Sequence, residues 1–129
     1  MVKKETELKE LTKAELELMR ILWDKKQAFL GEIVDAYPIE NRPAYPTIST
    51  VVRILEKKGF VGHESFSKVN RYYPFISKED YRSKIVKNTI NIFFDESPKQ
   101  LFSYFAEKGT LSASQYEDLK NFAKEILDK

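Results

Sequence analysis

The sequence predicts a mainly α-helical protein interrupted once, near its middle, by a small β-hairpin. Three observations predict it. Apolar residues recur at helical spacing in several segments, and most of these segments open on a hydroxyl or proline start signal. After Gly59 the period changes to alternation and stays so until Phe75. The 129 residues are 42% hydrophobic and 33% charged, which suits packed cores in one domain or two very small ones.

Residues 1–10 alternate charges without an apolar period and read as a frayed lead-in. Thr12-Lys-Ala-Glu15 opens the first helix as a capping box, with a hydroxyl for the amide three residues on and a carboxylate reaching back. Ala14, Leu18, Ile21 and Leu22 form its apolar stripe, and Trp23 adds bulk near its end. Asp24-Lys-Lys-Gln breaks that pattern. A short second helix runs from about Leu30 to Tyr37, with Ile33, Val34 and Tyr37 inward. Pro38, Pro43 and Pro46 make the next stretch a loop. Pro46 also suits the first turn of a third helix, where its missing N–H costs nothing. In that helix Ile48, Val51, Val52 and Leu55 can enter a core, Lys57 and Lys58 fill the last turn, and Gly59 stops it. Phe60–Phe66 and Asn70–Phe75 read as two strands, with Ser67-Lys68-Val69 as their turn. Three helices followed by a hairpin is the order of a winged helix-turn-helix.

Ser77-Lys-Glu-Asp80 opens a fourth helix, whose apolar positions do not fit one narrow stripe. Ser97-Pro98 opens a fifth, ended by Gly109, and Ser112-Ala-Ser-Gln115 opens a sixth as a second capping box. These three helices total roughly fifty residues, near the limit for a core that stands alone. They nevertheless carry many large apolar side chains. A second copy sharing the burial resolves the mismatch. The division is therefore residues 1–76 as a winged-helix domain and residues 77–129 as a helical dimerisation domain. Candidate dimer contacts are Tyr81, Ile85, Ile92, Phe93 and Phe102 on the first two of these helices. Phe105, Tyr116, Leu119, Phe122 and Ile126 extend the set.

Composition excludes several classes of function. The chain has no cysteine, which removes disulfides, thiolate catalysis, zinc fingers and thiol-based metal sensing. No apolar run approaches the roughly 20 residues needed to span a bilayer. The charged start lacks a signal peptide, so the cytoplasm is the expected compartment. His63 is the sole histidine, and no acidic cluster with metal-ligand spacing accompanies it. It reads as a surface or packing residue. Glu15 with Glu17, and Glu79 with Asp80, read as acids at helix N-termini. No nucleophile elbow or phosphate-binding glycine loop appears, and only 4 glycines are present. No enzyme, metal or cofactor is expected.

The charge pattern points elsewhere. The net charge is only +2, but Arg53, Lys57, Lys58, Lys68 and Arg71 cluster within a short span. On the third helix Thr47, Ser49, Thr50 and Arg53 face away from most of the apolar stripe. Hydroxyls and a guanidinium on a free helix face suit the major groove of DNA, and these four are the candidate base contacts. For Arg53 a phosphate contact is the open alternative. Tyr45, Lys57, Lys58, Lys68 and Arg71 are candidate phosphate contacts. Lys57 and Lys58 have a second reading as cations complementing the helix dipole. A winged-helix module that meets protein through its third helix, without sequence-specific DNA binding, is the competing function.

The chain resembles the penicillinase repressor (BlaI/MecI) family of bacterial transcription regulators from about Leu11 to Leu127. Leu11-Thr-Lys-Ala-Glu-Leu-Glu-Leu-Met-Arg-Ile-Leu-Trp23 and Pro46-Thr-Ile-Ser-Thr-Val-Val-Arg-Ile-Leu-Glu-Lys-Lys-Gly-Phe60 carry the resemblance. Arg71-Tyr-Tyr-Pro74 and Leu111-Ser112 add to it. The resemblance implies a homodimer that binds a palindromic operator and represses transcription, with residues near the start of the third helix reading bases. It also implies a regulatory protease or sensor system as partner. Relatives of the β-lactam type are cut at an Asn-Phe bond, and the matching place here is Tyr104-Phe105, without the asparagine. Copper-responsive relatives use a cysteine-rich tail, which this chain lacks.

Overall fold

The computed structural model describes residues 10–108 and 111–127. Most of the expected lead-in over residues 1–10, and the helix stop expected at Gly109, lie outside the described residues. The chain divides into two compact units after Ile85.

In the first unit α1 spans Lys13–Lys25. The Thr12 hydroxyl accepts from the Glu15 amide at 3.2 Å, and the Glu15 carboxylate accepts from the Thr12 amide at 2.9 Å. This is the expected capping box. The buried stripe is Glu15, Leu18, Met19 and Leu22, whereas Ala14 is exposed and Ile21 half-buried. A charged residue sits at the head of the stripe, so an apolar count starts it one residue early. A two-residue strand β1 (Ala28–Phe29) leads into α2 (Leu30–Ala36), and a 3-10 turn (Ile39–Asn41) leads to α3 (Tyr45–Lys58). Strands β2 (Val61–Phe66) and β3 (Val69–Pro74) form the hairpin.

The sheet is antiparallel in the order β1-β3-β2. Its register pairs Ala28 with Tyr72 on one side of β3, and Val61 with Pro74 through Phe66 with Val69 on the other. The hairpin turn is therefore Ser67-Lys68 alone, with Ser67 at φ 57°, and Val69 already belongs to the ladder. Phe60 precedes its strand and is buried, while its carbonyl accepts from the Phe75 amide at 2.8 Å. The core lies between the three helices and the inner sheet face. Phe60, Leu18, Met19, Leu22, Ile33, Ile48 and Leu55 are its largest fully buried side chains.

Helix α4 (Lys78–Phe93) begins in this unit and continues past Ile85. The Ser77 hydroxyl accepts from the Asp80 amide at 3.0 Å. Tyr81 and Ile85, expected among the dimer contacts, belong to the first unit's core instead. The Tyr81 ring stands 5.9 Å from Trp23 and 5.9 Å edge-on from Phe60, and its hydroxyl accepts from the Leu11 amide at 2.8 Å. Ile85 packs half-buried against the same cluster. The first two turns of α4 thus supply apolar cover that the hairpin leaves missing.

The second unit holds the rest of α4, then α5 (Pro98–Lys108) and α6 (Ala113–Leu127). Asp95 and Glu96 turn the chain at φ 51° and 63°. Ser97 caps α5 through the Gln100 amide at 3.2 Å, and Ser112 with Gln115 forms the second capping box. Phe94, Tyr104 and Phe105 meet edge to face. Among the residues of this unit whose burial is described, none is buried. Ile92, Phe93, Phe102, Tyr116 and Phe122 are exposed, Phe105 and Leu119 are half-buried, and the Ile126 side chain lies outside the described residues. Among the described residues no helix is long and apolar enough to cross a membrane.

Candidate nucleic-acid interface

Helix α3 is built to show one face and bury the other. Ala44 precedes it without a side-chain cap, and Pro46 occupies its first turn. The helix stops at Gly59, whose φ of 87° is left-handed and whose amide returns to Leu55 and Glu56 carbonyls. Between these ends Ile48, Val52 and Leu55 are buried. At about 100° per residue, Thr47, Thr50, Arg53 and Lys57 fall on the opposite side, and all four are exposed. Ser49 does not fully join them; it is half-buried on the shoulder of the helix. Ile54 shares the free face at 41% exposure, an apolar member that a search for polar contacts passes over. Tyr45 stands 54% exposed at the N-terminus, where the uncapped helix end favours an anion.

The Thr50 hydroxyl donates to the Pro46 carbonyl at 3.0 Å. Its proton is thereby used inside the helix, which leaves the oxygen lone pairs and the methyl for an outside partner. Among the described residues Arg53, Lys57 and Lys68 have no ion-pair partner. Lys68 sits at the tip of the hairpin. Arg71 is less free: it meets Glu64 across the strands at 3.2 Å, and its guanidinium lies 4.6 Å over the Phe66 ring. Phe66 is braced edge-on by Phe29.

Lys58 departs most from the expected phosphate set. Its ammonium meets both carboxylate oxygens of Glu15, at 2.8 and 2.9 Å. Glu15 is 5% exposed, so the carboxylate holds the lysine tail against the core instead of leaving it to a ligand. Burial pushes the Glu15 carboxyl up, but Lys58 and the Thr12 hydrogen bonds outweigh it and hold the group below its ordinary value. Glu15 is thus a cap and an ion-pair partner together.

Arg42 is a residue the sequence reading did not single out. Its Nη2 donates to the Asp35 and Tyr37 carbonyls at 3.0 and 2.9 Å, and its Nε to Tyr37 at 3.3 Å. The guanidinium satisfies carbonyls left open at the end of α2 and holds the turn that leads to α3. A cation just beyond a helix C-terminus was the available signal. Tyr37 is buried, and that burial, with the Glu17 charge added, pushes its hydroxyl up to about 12. His63 on β2 hydrogen-bonds Glu56 of α3 and stands edge-on to Tyr72, tying the sheet to the helix. The described residues contain no group of metal-ligating side chains.

The first unit is a winged helix-turn-helix, the class of fold that lays a third helix in the major groove of DNA. Residues 11–125 match the family described as penicillinase repressor, and the chain belongs to that family. It is 33% identical over 112 residues to the methicillin resistance regulatory protein MecI of Staphylococcus aureus (strain N315), spanning 87% of this chain and 91% of that protein. It is 25% identical over 116 residues to the penicillinase repressor of Bacillus licheniformis, spanning 90% and 91%. The solution structure of the DNA-binding domain of the repressor BlaI is similar at 28% identity and a TM-score of 0.52, covering 58% of this chain and 92% of that chain.

Proposed function

We propose that the chain is a DNA-binding transcriptional repressor that acts as a homodimer on a palindromic operator. The winged-helix unit, completed by the first turns of α4, carries the DNA contacts, and residues 86–129 join two copies. The observation that carries this reading is the free face of α3, where Thr47, Thr50 and Arg53 stand exposed beside an unpaired Lys57. An α-helix fits the major groove, and such side chains reach base edges there. Arg53 pairs with a guanine or grips a phosphate. Thr50 offers a methyl to thymine and an oxygen to a donor. Tyr45, Lys57 and Lys68 hold phosphates and set affinity more than sequence choice. The exposure of Ile92, Phe93, Phe102, Tyr116 and Phe122 in the second unit supports a core shared between copies. A protease acting at Tyr104-Phe105 would meet a bond inside α5, reached only after that helix opens.

Selection of bound fragments from the host genome by the full chain tests the proposal. The expected result is one enriched sequence with two-fold symmetry. Recovery of no preferred sequence, together with a protein partner lost on changing Thr47 or Thr50, would establish the interaction module instead. On the recovered site Arg53→Ala should cost roughly 1–3 kcal/mol if the guanidinium reads a base. An equal loss on unrelated DNA assigns it to a phosphate.

A further inference from the structure

The first unit contains a surface cavity of about 500 Å³, open to solvent and with its polar lining residues all exposed. None of its lining residues belongs to α3 or the wing tip. Trp23, Pro74 and Ile76 supply an apolar lining, and Arg20, Lys26 and Lys78 set three cations against the single carboxylate of Asp24. Among the described residues these three cations have no ion-pair partner. The Trp23 ring is fixed: its indole N–H donates to the Ile76 carbonyl at 2.8 Å, and Tyr81 stands 5.9 Å from it. Lys26 adds an independent sign. It ends α1 at φ 74°, a conformation that glycine takes freely and a lysine takes under strain. The strained position thus carries a cation that lines the cavity.

We infer that this cavity binds a small planar aromatic carboxylate. The ring lies against Trp23, Pro74 and Ile76, and the carboxylate sits among Arg20, Lys26 and Lys78. Apolar surface beside several cations is the chemistry that recognises such an anion, and Asp24 opposes a second negative charge on the ligand. The lining includes Lys78, the first residue of α4.

The chain has one tryptophan, so the full-length protein labelled with ¹⁵N has a single indole N–H resonance to follow. Titration with 2-naphthoate should move that resonance saturably, and the neutral 2-naphthamide should bind at least about fivefold more weakly. Arg20→Ala combined with Lys78→Ala should weaken naphthoate binding by about tenfold. Lys26→Gly relaxes the backbone while removing a cation, so it should keep or raise stability and still weaken naphthoate binding. An unsaturable response, equal binding of acid and amide, or naphthoate binding unchanged in both variants would overturn the inference. So would a double variant that binds naphthoate normally but shows a reduced salt slope on duplex DNA, which would assign these cations to phosphates.

Discussion

Glu15 joins the start of α1 to the end of α3, since one carboxylate caps the first helix and receives the last lysine of the third. Removing its charge leaves Lys58 against the core without a partner. Because the Lys58 side chain keeps 29% exposure, water relieves part of that loss, and Glu15→Gln should cost about 1–2 kcal/mol at neutral pH. The folded carboxyl titrates below its ordinary value of 4.5. The pair's contribution is therefore complete above that value and is lost as pH falls through the lower folded one. Urea midpoints should differ between the two proteins at neutral pH and converge in acid. A constant gap across pH would show that the capping hydrogen bonds, not the charge, carry the effect. Lys58 consequently belongs to stability, and Lys57 beside it to the outward face.

At the scale of elements, the interface is a helix and a turn held by separate devices. Lys68 stands on the two-residue Ser67-Lys68 turn with no ion-pair partner among the described residues, whereas Arg71 is held by Glu64 and Phe66. Lys68→Ala should lower the slope of log affinity against log salt by about one unit and leave sequence preference alone. Arg71→Ala should change the slope less and should also loosen the outer sheet face, seen as faster amide exchange in β2 and β3. Much of this level was legible from residue order. The caps at Thr12, Ser77, Ser97 and Ser112, the proline in the first turn of α3 and the stop at Gly59 are local signals, and local physics formed what they announced. What was not legible depends on distance in space. Two residues, Ala28 and Phe29, have no period to read, and only pairing with β3 makes them a strand. Lys58 looked free because Glu15 lies 43 residues away in the chain. Tyr81 looked like a bundle residue because Trp23 and Phe60 reach it only in the folded core.

For the whole molecule the two units differ in how complete they are. The first buries a continuous cluster from Leu18 to Tyr81, whereas the second leaves Phe93 at 74% and Phe122 at 57% exposure. Replacing both phenylalanines with glutamate should turn a dimer into a monomer by light scattering and lower operator affinity by about a hundredfold or more, since two linked half-site contacts become one. The winged unit should stay folded in that variant, with its Trp23 indole resonance unshifted. A dimer that survives the change would place the contact elsewhere. Under the proposed homodimer, a core completed by a second copy also ties the life of each molecule to abundance. Plentiful chains protect one another. Scarce chains spend longer alone, with aromatic side chains open to proteases and chaperones, so a fall in concentration hastens further loss. A repressor of the proposed kind would be lost faster than dilution alone removes it, and genes under its control would switch on more abruptly than they switch off.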